Sequence, residues 1–295
     1  VTERLSTAAE VAPLLDRAKV RMVLTVPRGF QTDLVSGRAA PVQALVDGAD
    51  ANTASIALNY ATSIVTAFSA RTLLGASGMR APIVVQGRVW YNETLSSSNM
   101  IVPGLVAIVM MIIAAQLTAL TIAREWERGS MEQLAATPVR RGEVILGKLL
   151  PYLGIGVIDV AGVVLVGIFV FDVPFRGSPF LLFVMATLFV LGTLGLGIFI
   201  SAATKSQLLA TQTAMITTFL PATLLSGFLY DIASMPIVLQ GISYAVPARY
   251  FITVMRGVML KGVGVSVLWP QALAMLAFAA IGLTLAVRSF RKELA

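Results

Sequence analysis

Residues 123–150 read Ala-Arg-Glu-Trp-Glu-Arg-Gly-Ser-Met-Glu-Gln-Leu-Ala-Ala-Thr-Pro-Val-Arg-Arg-Gly-Glu-Val-Ile-Leu-Gly-Lys-Leu-Leu, the one dense run of charge between two long apolar segments. The run carries both signs of charge; its charged residues are Arg124, Glu125, Glu127, Arg128, Glu132, Arg140, Arg141, Glu143 and Lys148. The chain after it is mostly apolar, whereas residues 1–100 resemble a water-soluble domain. Because membrane spans exclude charge, a connection with so many charged residues is expected to bind a partner in water.

The composition indicates a polytopic membrane protein. The 295 residues are 57% hydrophobic and 13% charged, about half of the ~25% charged residues of a soluble domain. The chain has no Cys and no His, which excludes disulfides, thiolate or imidazole metal sites and Ser-His-Asp chemistry. The net charge of +7 is assigned to the cytoplasmic ends of helices, and no nucleic-acid partner is expected.

Residues 1–100 predict a small α/β domain. Three runs with strand-forming side chains are bounded by Pro or Gly, and they cover residues 21–27, 41–48 and 82–91. Residues 51–70 are apolar but contain many small polar side chains, so they predict a helix packed on the sheet rather than a membrane span. The alternation of strand and helix is typical of an α/β fold.

Residues 101–295 predict a transmembrane domain. Five nearly uncharged segments are long enough to cross about 30 Å of hydrocarbon, and they cover residues 101–123, 149–171, 179–203, 208–230 and 265–287. The connection 124–148 between the first two is the charged run. Residues 231–264 are apolar but broken by Pro and Gly, so they predict a re-entrant segment. The expected fold is a polytopic α-helical membrane protein with an N-terminal α/β domain.

Lys and Arg in the short connections predict the orientation. More of them lie on the side of residues 124–148 than on the other side, and such residues favour the cytoplasm. The C-terminus is therefore expected in the cytoplasm and residues 1–100 outside the membrane. Because an exported domain needs a segment that exports it, a further helix is expected before Val1, which gives six spans in all.

The charged run contains a possible helical face and a possible nucleotide motif. Glu125, Arg128 and Glu132 are spaced i, i+3, i+7, as on one face of a helix. Trp126 is a typical interface anchor and Gly129 permits a bend. Residues 142–148 match the first seven positions of a Walker A motif, but Leu replaces the hydroxyl residue that follows, so no nucleotide site is assigned there.

The charged run resembles the first cytoplasmic loop of the ABC transporter type-2 permease family, the membrane subunits of bacterial multidrug-type exporters. That loop has the pattern R-E-x-E-x-G-[ST]-x-E-x-L-x-x-[ST]-P, which is matched here by Arg124-Glu125, Glu127, Gly129-Ser130, Glu132, Leu134 and Thr137-Pro138. A later family pattern, Pro-x-x-Tyr followed by Arg, is approximated by Pro247-Ala-Arg-Tyr250 and Arg256. The likeness extends from about Val20 to the end of the chain.

The resemblance implies an export permease that has no cofactor of its own. A separate ABC subunit would bind ATP and Mg²⁺, and the loop would dock on that subunit as a coupling helix. The residues implied in coupling are Arg124, Glu125, Glu127, Arg128, Gly129 and Glu132, with the carboxylates paired to basic groups of the partner. The resemblance also implies a homodimer or a heterodimer with a related permease, set in lipid of the bacterial plasma membrane. The expected cargo is a small amphipathic or hydrophobic compound.

Three further residues are candidates for the translocation path. Asp159 lies in the middle of the second predicted span, where a carboxylate is expected to face the path or to bond a neighbouring helix. Arg249 and Arg256 lie in the broken segment, where they would line the outer exit or reach the interface. An alternative is an ion-coupled secondary transporter that uses Asp159. An intramembrane enzyme would need a second catalytic group at that depth, and the sequence offers none.

Overall fold

The computed structural model describes residues 10–17, 19–36, 40–73, 83–92, 96–130, 133 and 137–290. Contacts between Cα atoms divide the chain into two compact units, Val1–Met100 and Ile101–Ala295. Each unit is described by itself below. The second unit contains the charged run and every candidate site residue.

The first unit is built on a three-stranded mixed sheet. Its strands are β1 (Met22–Thr25), β2 (Ala40–Asp47) and β3 (Ile83–Trp90), in the spatial order β1-β2-β3. β1 is antiparallel to β2, and β2 is parallel to β3. β1 and β3 fall within the first and third runs that the sequence predicted as strands, and β2 begins one residue before the second run.

Three helices accompany the sheet: α1 (Val11–Asp16), α2 (Phe30–Val35) and α3 (Ala51–Leu73). The long helix α3 connects the parallel strands β2 and β3 and packs on both, as a crossover between parallel strands requires. Asp50 begins α3, because its carboxylate accepts the backbone N–H of Thr53 at 3.2 Å. The helix predicted over residues 51–70 is therefore present and packs on the sheet.

The second unit is a bundle of seven helices within the described residues. They are α4 (Ser97–Glu127), α5 (Arg141–Phe169), α6 (Pro179–Thr204), α7 (Gln207–Leu224), α8 (Ile237–Ser243), α9 (Pro247–Arg256) and α10 (Val265–Ser289). Among the described residues, α4, α5, α6 and α10 are long and apolar enough to cross a membrane. A fifth span results only if α8 is joined to α9 and the π-helical turn Gly257–Lys261, across a bend of 80°.

The structure corrects two predicted boundaries. The second long helix begins at Arg141 rather than at residue 149, so the connection after α4 covers residues 128–140 instead of 124–148. The helix predicted over 208–230 ends at Leu224 and is not among the four apolar spans. Thr and Gln side chains lower its hydropathy, and the positive φ of 81° at Gly227 follows its end. The expected count of five spans is therefore not confirmed.

Helix α6 lies at the centre of the bundle, and glycines let its neighbours approach. A Cβ on Gly195 would lie 2.7 Å from the carbonyl carbon of Gly282 in α10, and one on Gly197 would lie 2.1 Å from the hydroxyl of Thr118 in α4. These two glycines therefore allow close helix packing. Two glycines of α5 have no such role within this chain, because a Cβ on Gly154 or Gly162 would meet no atom within 4 Å.

Candidate functional site

The charged run begins as the last turn of α4 and then bends. The helix ends at Glu127, and Gly129 follows in the left-handed region with φ 71°. The N–H of Gly129 donates to the carbonyl of Trp126 at 3.2 Å. The bend predicted at Gly129 is therefore confirmed. The N–H of Arg128 still donates to the carbonyl of Arg124 at 3.1 Å. Glu132 lies outside the described residues, so the face of Glu125, Arg128 and Glu132 stays a prediction.

Glu125 is paired inside the chain. Its carboxylate forms an ion pair with the ammonium of Lys148, in the second turn of α5. The side chains of Lys148 and Glu125 are only 18% and 29% exposed. Within the described part of the chain, the second carboxylate oxygen of Glu125 is buried and accepts no hydrogen bond. The pair therefore ties the end of α4 to the start of α5.

Glu127 is also bound inside the chain, to the start of α7. One carboxylate oxygen accepts the backbone N–H of Gln207 at 2.7 Å, and the other accepts the side-chain amide of Gln207. The Nε of Arg124 donates to the amide oxygen of the same glutamine at 3.4 Å. Glu127 is exposed and lies beyond the apolar part of its helix, and the N–H of Gln207 holds its carboxyl pKa below the ordinary value. The carboxylate is therefore charged and acts as an acceptor.

Trp126 contacts the two-residue link between α6 and α7. The ammonium of Lys205, which follows the end of α6, lies 4.3 Å from the centroid of the Trp126 ring, within the range of a cation–π contact. Both residues border a cleft of about 210 Å³. The other residues of the cleft are Ile122, Ala202, Ser289 and Phe290. The ends of α4, α6 and α10 therefore meet here, and this end of the bundle is called the coupling end.

A buried hydroxyl connects α4 to α6 beside the coupling end. The Oγ of Ser201 accepts the backbone N–H groups of Ile122 at 3.1 Å and Ala123 at 2.9 Å. Further along, Thr118 donates its hydroxyl to the carbonyl of Leu194 at 3.0 Å. The last turns of α4 are thus fixed to α6 by hydrogen bonds as well as by packing.

Sequence reasoning missed Lys148, Ser201, Lys205 and Gln207. The available signal was topological: with only Lys205 and Ser206 between α6 and α7, this short link must lie on the same side of the bundle as the charged run. Residues 142–148 lie inside the first turns of α5, so their backbone N–H groups form a helix rather than a phosphate-binding loop.

The three translocation-path candidates lie apart from the coupling end. Asp159 is half-buried in the middle of α5, and the described residues provide no hydrogen bond or ion pair to its carboxylate. The guanidinium of Arg249 stacks 3.9 Å from the centroid of Tyr244 and donates to the hydroxyl of Ser243. Arg256 donates to the carbonyl of Gly227 at 3.4 Å. The structure does not bond Asp159 to either arginine.

The sequence profile described as ABC-2 family transporter protein matches residues 1–288. The "Probable multidrug ABC transporter permease YbhS" of Escherichia coli (strain K12) is 38% identical over 93% of this chain and 74% of its own length. The "Probable multidrug ABC transporter permease YbhR" of the same strain is 30% identical over 98% of this chain and 78% of its own length.

A more distant relative is the "ABC transporter G family member 20" of Dictyostelium discoideum, which is 28% identical over 60% of this chain and 24% of its own length. The family profile matches from the first residue of the chain. The match covers the first unit and the second unit as far as residue 288, including the whole charged run. The chain is therefore a member of the ABC-2 family of transporter proteins and a multi-pass membrane protein.

Proposed function

We propose that this chain is the membrane permease subunit of an ATP-driven exporter in which a separate ABC subunit binds ATP and Mg²⁺. The observation that carries the proposal is the coupling end. There a charged turn follows α4, and side chains of that turn are bonded to neighbouring helices of the same chain. Ion pairing to α5 and hydrogen bonding to α7 make the last turn of α4 stiff. A coupling contact requires a turn that is held rigidly by the helices behind it, because a flexible loop would change shape without passing the partner's movement to the helices.

The exposed part of this turn provides the contact with the ATP-binding partner. Arg128 is exposed, and Gly129 sets the direction in which the chain leaves α4. The sequence motif adds Glu132, which lies outside the described residues, to the proposed contact. Arg124, Glu125 and Glu127 have partners inside the chain. They therefore hold the turn in place, which revises the expectation that their charges pair with the partner subunit.

The proposed cargo is a small amphipathic or hydrophobic compound. The names of the two Escherichia coli relatives contain "multidrug", which supports this choice. Two permease protomers, identical or closely related, would enclose the path. Asp159 suits this arrangement, because exposed apolar residues such as Ile155 and Ile158 surround it on α5, and a carboxylate at that depth needs a polar neighbour from another helix. Arg249 and Arg256 would border the exit.

Export driven by an ion gradient is not favoured. The family match places the chain among ABC permeases, and in the described spans no ionisable group is bonded to Asp159. Coupled ion transport normally uses several ionisable groups or an ion site built from broken helices. We further propose that the protein lies in the bacterial plasma membrane with residues 1–100 outside and the C-terminus in the cytoplasm.

A photo-crosslink tests the proposed contact directly. A photoreactive amino acid, p-benzoylphenylalanine, replaces Arg128 in cells that carry the native operon. We expect ultraviolet light to join the chain to a soluble polypeptide that contains a complete Walker A motif. The matched control places the same amino acid at Arg28, an exposed arginine of the first unit, and we expect no such product. Equal crosslinking at both positions, or none to an ATP-binding polypeptide, would contradict the proposal.

A further inference from the structure

Helix α7 begins on a carboxylate from another helix. Its first residue, Gln207, donates its backbone N–H to Glu127 at 2.7 Å. The N-cap residue of α7 is Ser206, which has the extended φ of −131° and ψ of 131° common at that position, yet its hydroxyl accepts no bond from the helix. Glu127 therefore satisfies a backbone donor at this helix end and places a negative charge against its positive dipole.

The rest of α7 is held by small side chains. Its buried residues are Ala210, Ala214, Thr218 and Ala222, all on one face. Ala210 and Ala214 pack against alanines of α4 and against Ile200 of α6. Other positions of α7 are open, since Leu208 is 67% and Ile216 61% exposed. Small side chains let membrane helices lie close together, and this face of α7 carries mainly alanines.

The contact at the first turn of α7 is built from several independent interactions. The carboxylate of Glu127 accepts hydrogen bonds from the backbone N–H and the side-chain NH₂ of Gln207. Arg124 donates to the amide oxygen of the same side chain. Lys205, two residues earlier, lies over the ring of Trp126. Arg124, Trp126 and Glu127 all belong to the last turn of α4. This turn leads into residues 128–140, the connection that is called the coupling loop below. A movement of that turn therefore acts on Gln207 through short polar contacts.

We propose that Glu127 is a positioning residue that joins the coupling loop to α7, so that a displacement of the loop moves α7 from its first turn. Glu125, paired with Lys148, makes the corresponding link to α5. A displacement of the coupling loop thus reaches α7 through Glu127 and α5 through Glu125. This role rests on the proposed function, because the displacement comes from the ATP-binding partner.

Two variants separate a connecting role from a merely stabilising one. Glu127→Ala removes both the helix cap and the link between α4 and α7. Adding Ser206→Asp to it gives α7 a carboxylate of its own at the N-cap position, which restores the cap but not the link. Leu208→Ala, in the same turn of α7 and exposed, serves as the control.

The movement of α7 can be measured without knowing the cargo. The chain has no cysteine, so spin labels at Ile216→Cys and Ile281→Cys are the only labels that it carries. An excess of unlabelled protomers in the assembly leaves one labelled protomer in each complex, so the measured distance is the one between α7 and α10 within a protomer. Both positions are exposed. The distance is measured by double electron–electron resonance on the chain purified with its ATP-binding subunit, without nucleotide and with ADP and vanadate. The melting temperature of each variant is measured in parallel.

We expect the nucleotide to change this distance in the parent chain and in the Leu208→Ala control. In Glu127→Ala the change should fall to less than half and the melting temperature should drop. In the variant that also carries Ser206→Asp, the melting temperature should recover while the distance change stays small. Recovery of both would overturn the proposal, since the carboxylate would then only cap α7.

Two other results would also decide against the role. If the distance in the parent chain does not respond to nucleotide, α7 is not moved. If Glu127→Ala loses the ATP-binding subunit while its melting temperature is unchanged, Glu127 acts on that partner rather than through α7. A parent chain that carries no ATP-binding subunit overturns the proposed function itself, and the melting temperatures then still show whether Glu127 caps α7.

Discussion

Two glutamates at the end of α4 show how much a single residue depends on its neighbours. Glu125 and Glu127 are two positions apart and chemically identical, yet one pairs with Lys148 and the other with Gln207. The sequence predicted that both belong to a functional loop, because the motif contains them. Their partners lie 23 and 80 residues away, so no local pattern could show that each is bound within the chain.

The pair of Glu125 and Lys148 predicts a double-mutant result. Lys148→Met leaves a mostly buried carboxylate without its cation, and we expect a loss of about 1–3 kcal/mol of stability. Glu125→Gln combined with Lys148→Met removes both charges, and most of the loss should be recovered. Melting temperatures in detergent measure both variants. If the double variant is no more stable than Lys148→Met alone, the two residues are not coupled.

At the scale of elements, glycines set the distance between α6 and α10. A Cβ on Gly195 would lie 2.7 Å from the backbone of Gly282, and one on Gly282 would lie 2.7 Å from the carbonyl oxygen of Gly192. Backbone atoms cannot yield as a side chain can, so the two helices must separate to admit even a methyl group. Membrane helices commonly use small residues for such close packing.

Gly195→Ala should therefore destabilise the bundle by about 1–3 kcal/mol. Gly162→Ala is the matched control: it is also a glycine inside a long apolar helix, but a Cβ there meets no atom within 4 Å. We expect that variant to be neutral or slightly more stable, because alanine favours helix. The measurement is the fraction of protein that stays monodisperse after heating in detergent. Equal losses in both variants would contradict the packing.

Elements were predictable to the extent that their signal was local. The strands, the helix over residues 51–70 and the apolar helices follow from hydrophobic runs and Pro or Gly boundaries, which act over a few residues. The early start of α5 was not predicted because residues 141–148 are charged, although they are helical. Its N-terminus carried a signal nonetheless, since Glu143 accepts the N–H of Arg140 at 2.9 Å and forms half of a capping box.

For the whole molecule, the proposed orientation puts residues 1–100 outside the membrane and the C-terminus in the cytoplasm. The chain has no cysteine, so single cysteines report their own accessibility. Arg28→Cys in the first unit should react with a membrane-impermeant maleimide added to spheroplasts. Arg288→Cys, exposed at the coupling end of α10, should react only after the membrane is opened. Labelling of Arg288→Cys in intact spheroplasts, with Arg28→Cys protected, would reverse the proposed orientation.

The candidate site was predictable as a location but not as a mechanism. The charged run and the bend at Gly129 identify the coupling end from sequence alone. The contacts that hold that end depend on Ser201, Lys205 and Gln207. These residues lie near helix ends and show no functional pattern in the sequence, and only the fold places them beside α4. Contacts of this kind depend on helix packing, and a single sequence carries no periodic signal for them.

The central claim is that a separate ATP-binding subunit drives this permease, and affinity purification from mild detergent tests it most directly. The tagged chain is expressed in its native host, and the proteins that accompany it are identified by mass spectrometry. We predict a soluble subunit with a complete Walker A motif in amounts comparable to the permease, and ATP hydrolysis by the purified assembly. A chain that is recovered alone, and that moves a solute on an ion gradient without ATP, would contradict the claim.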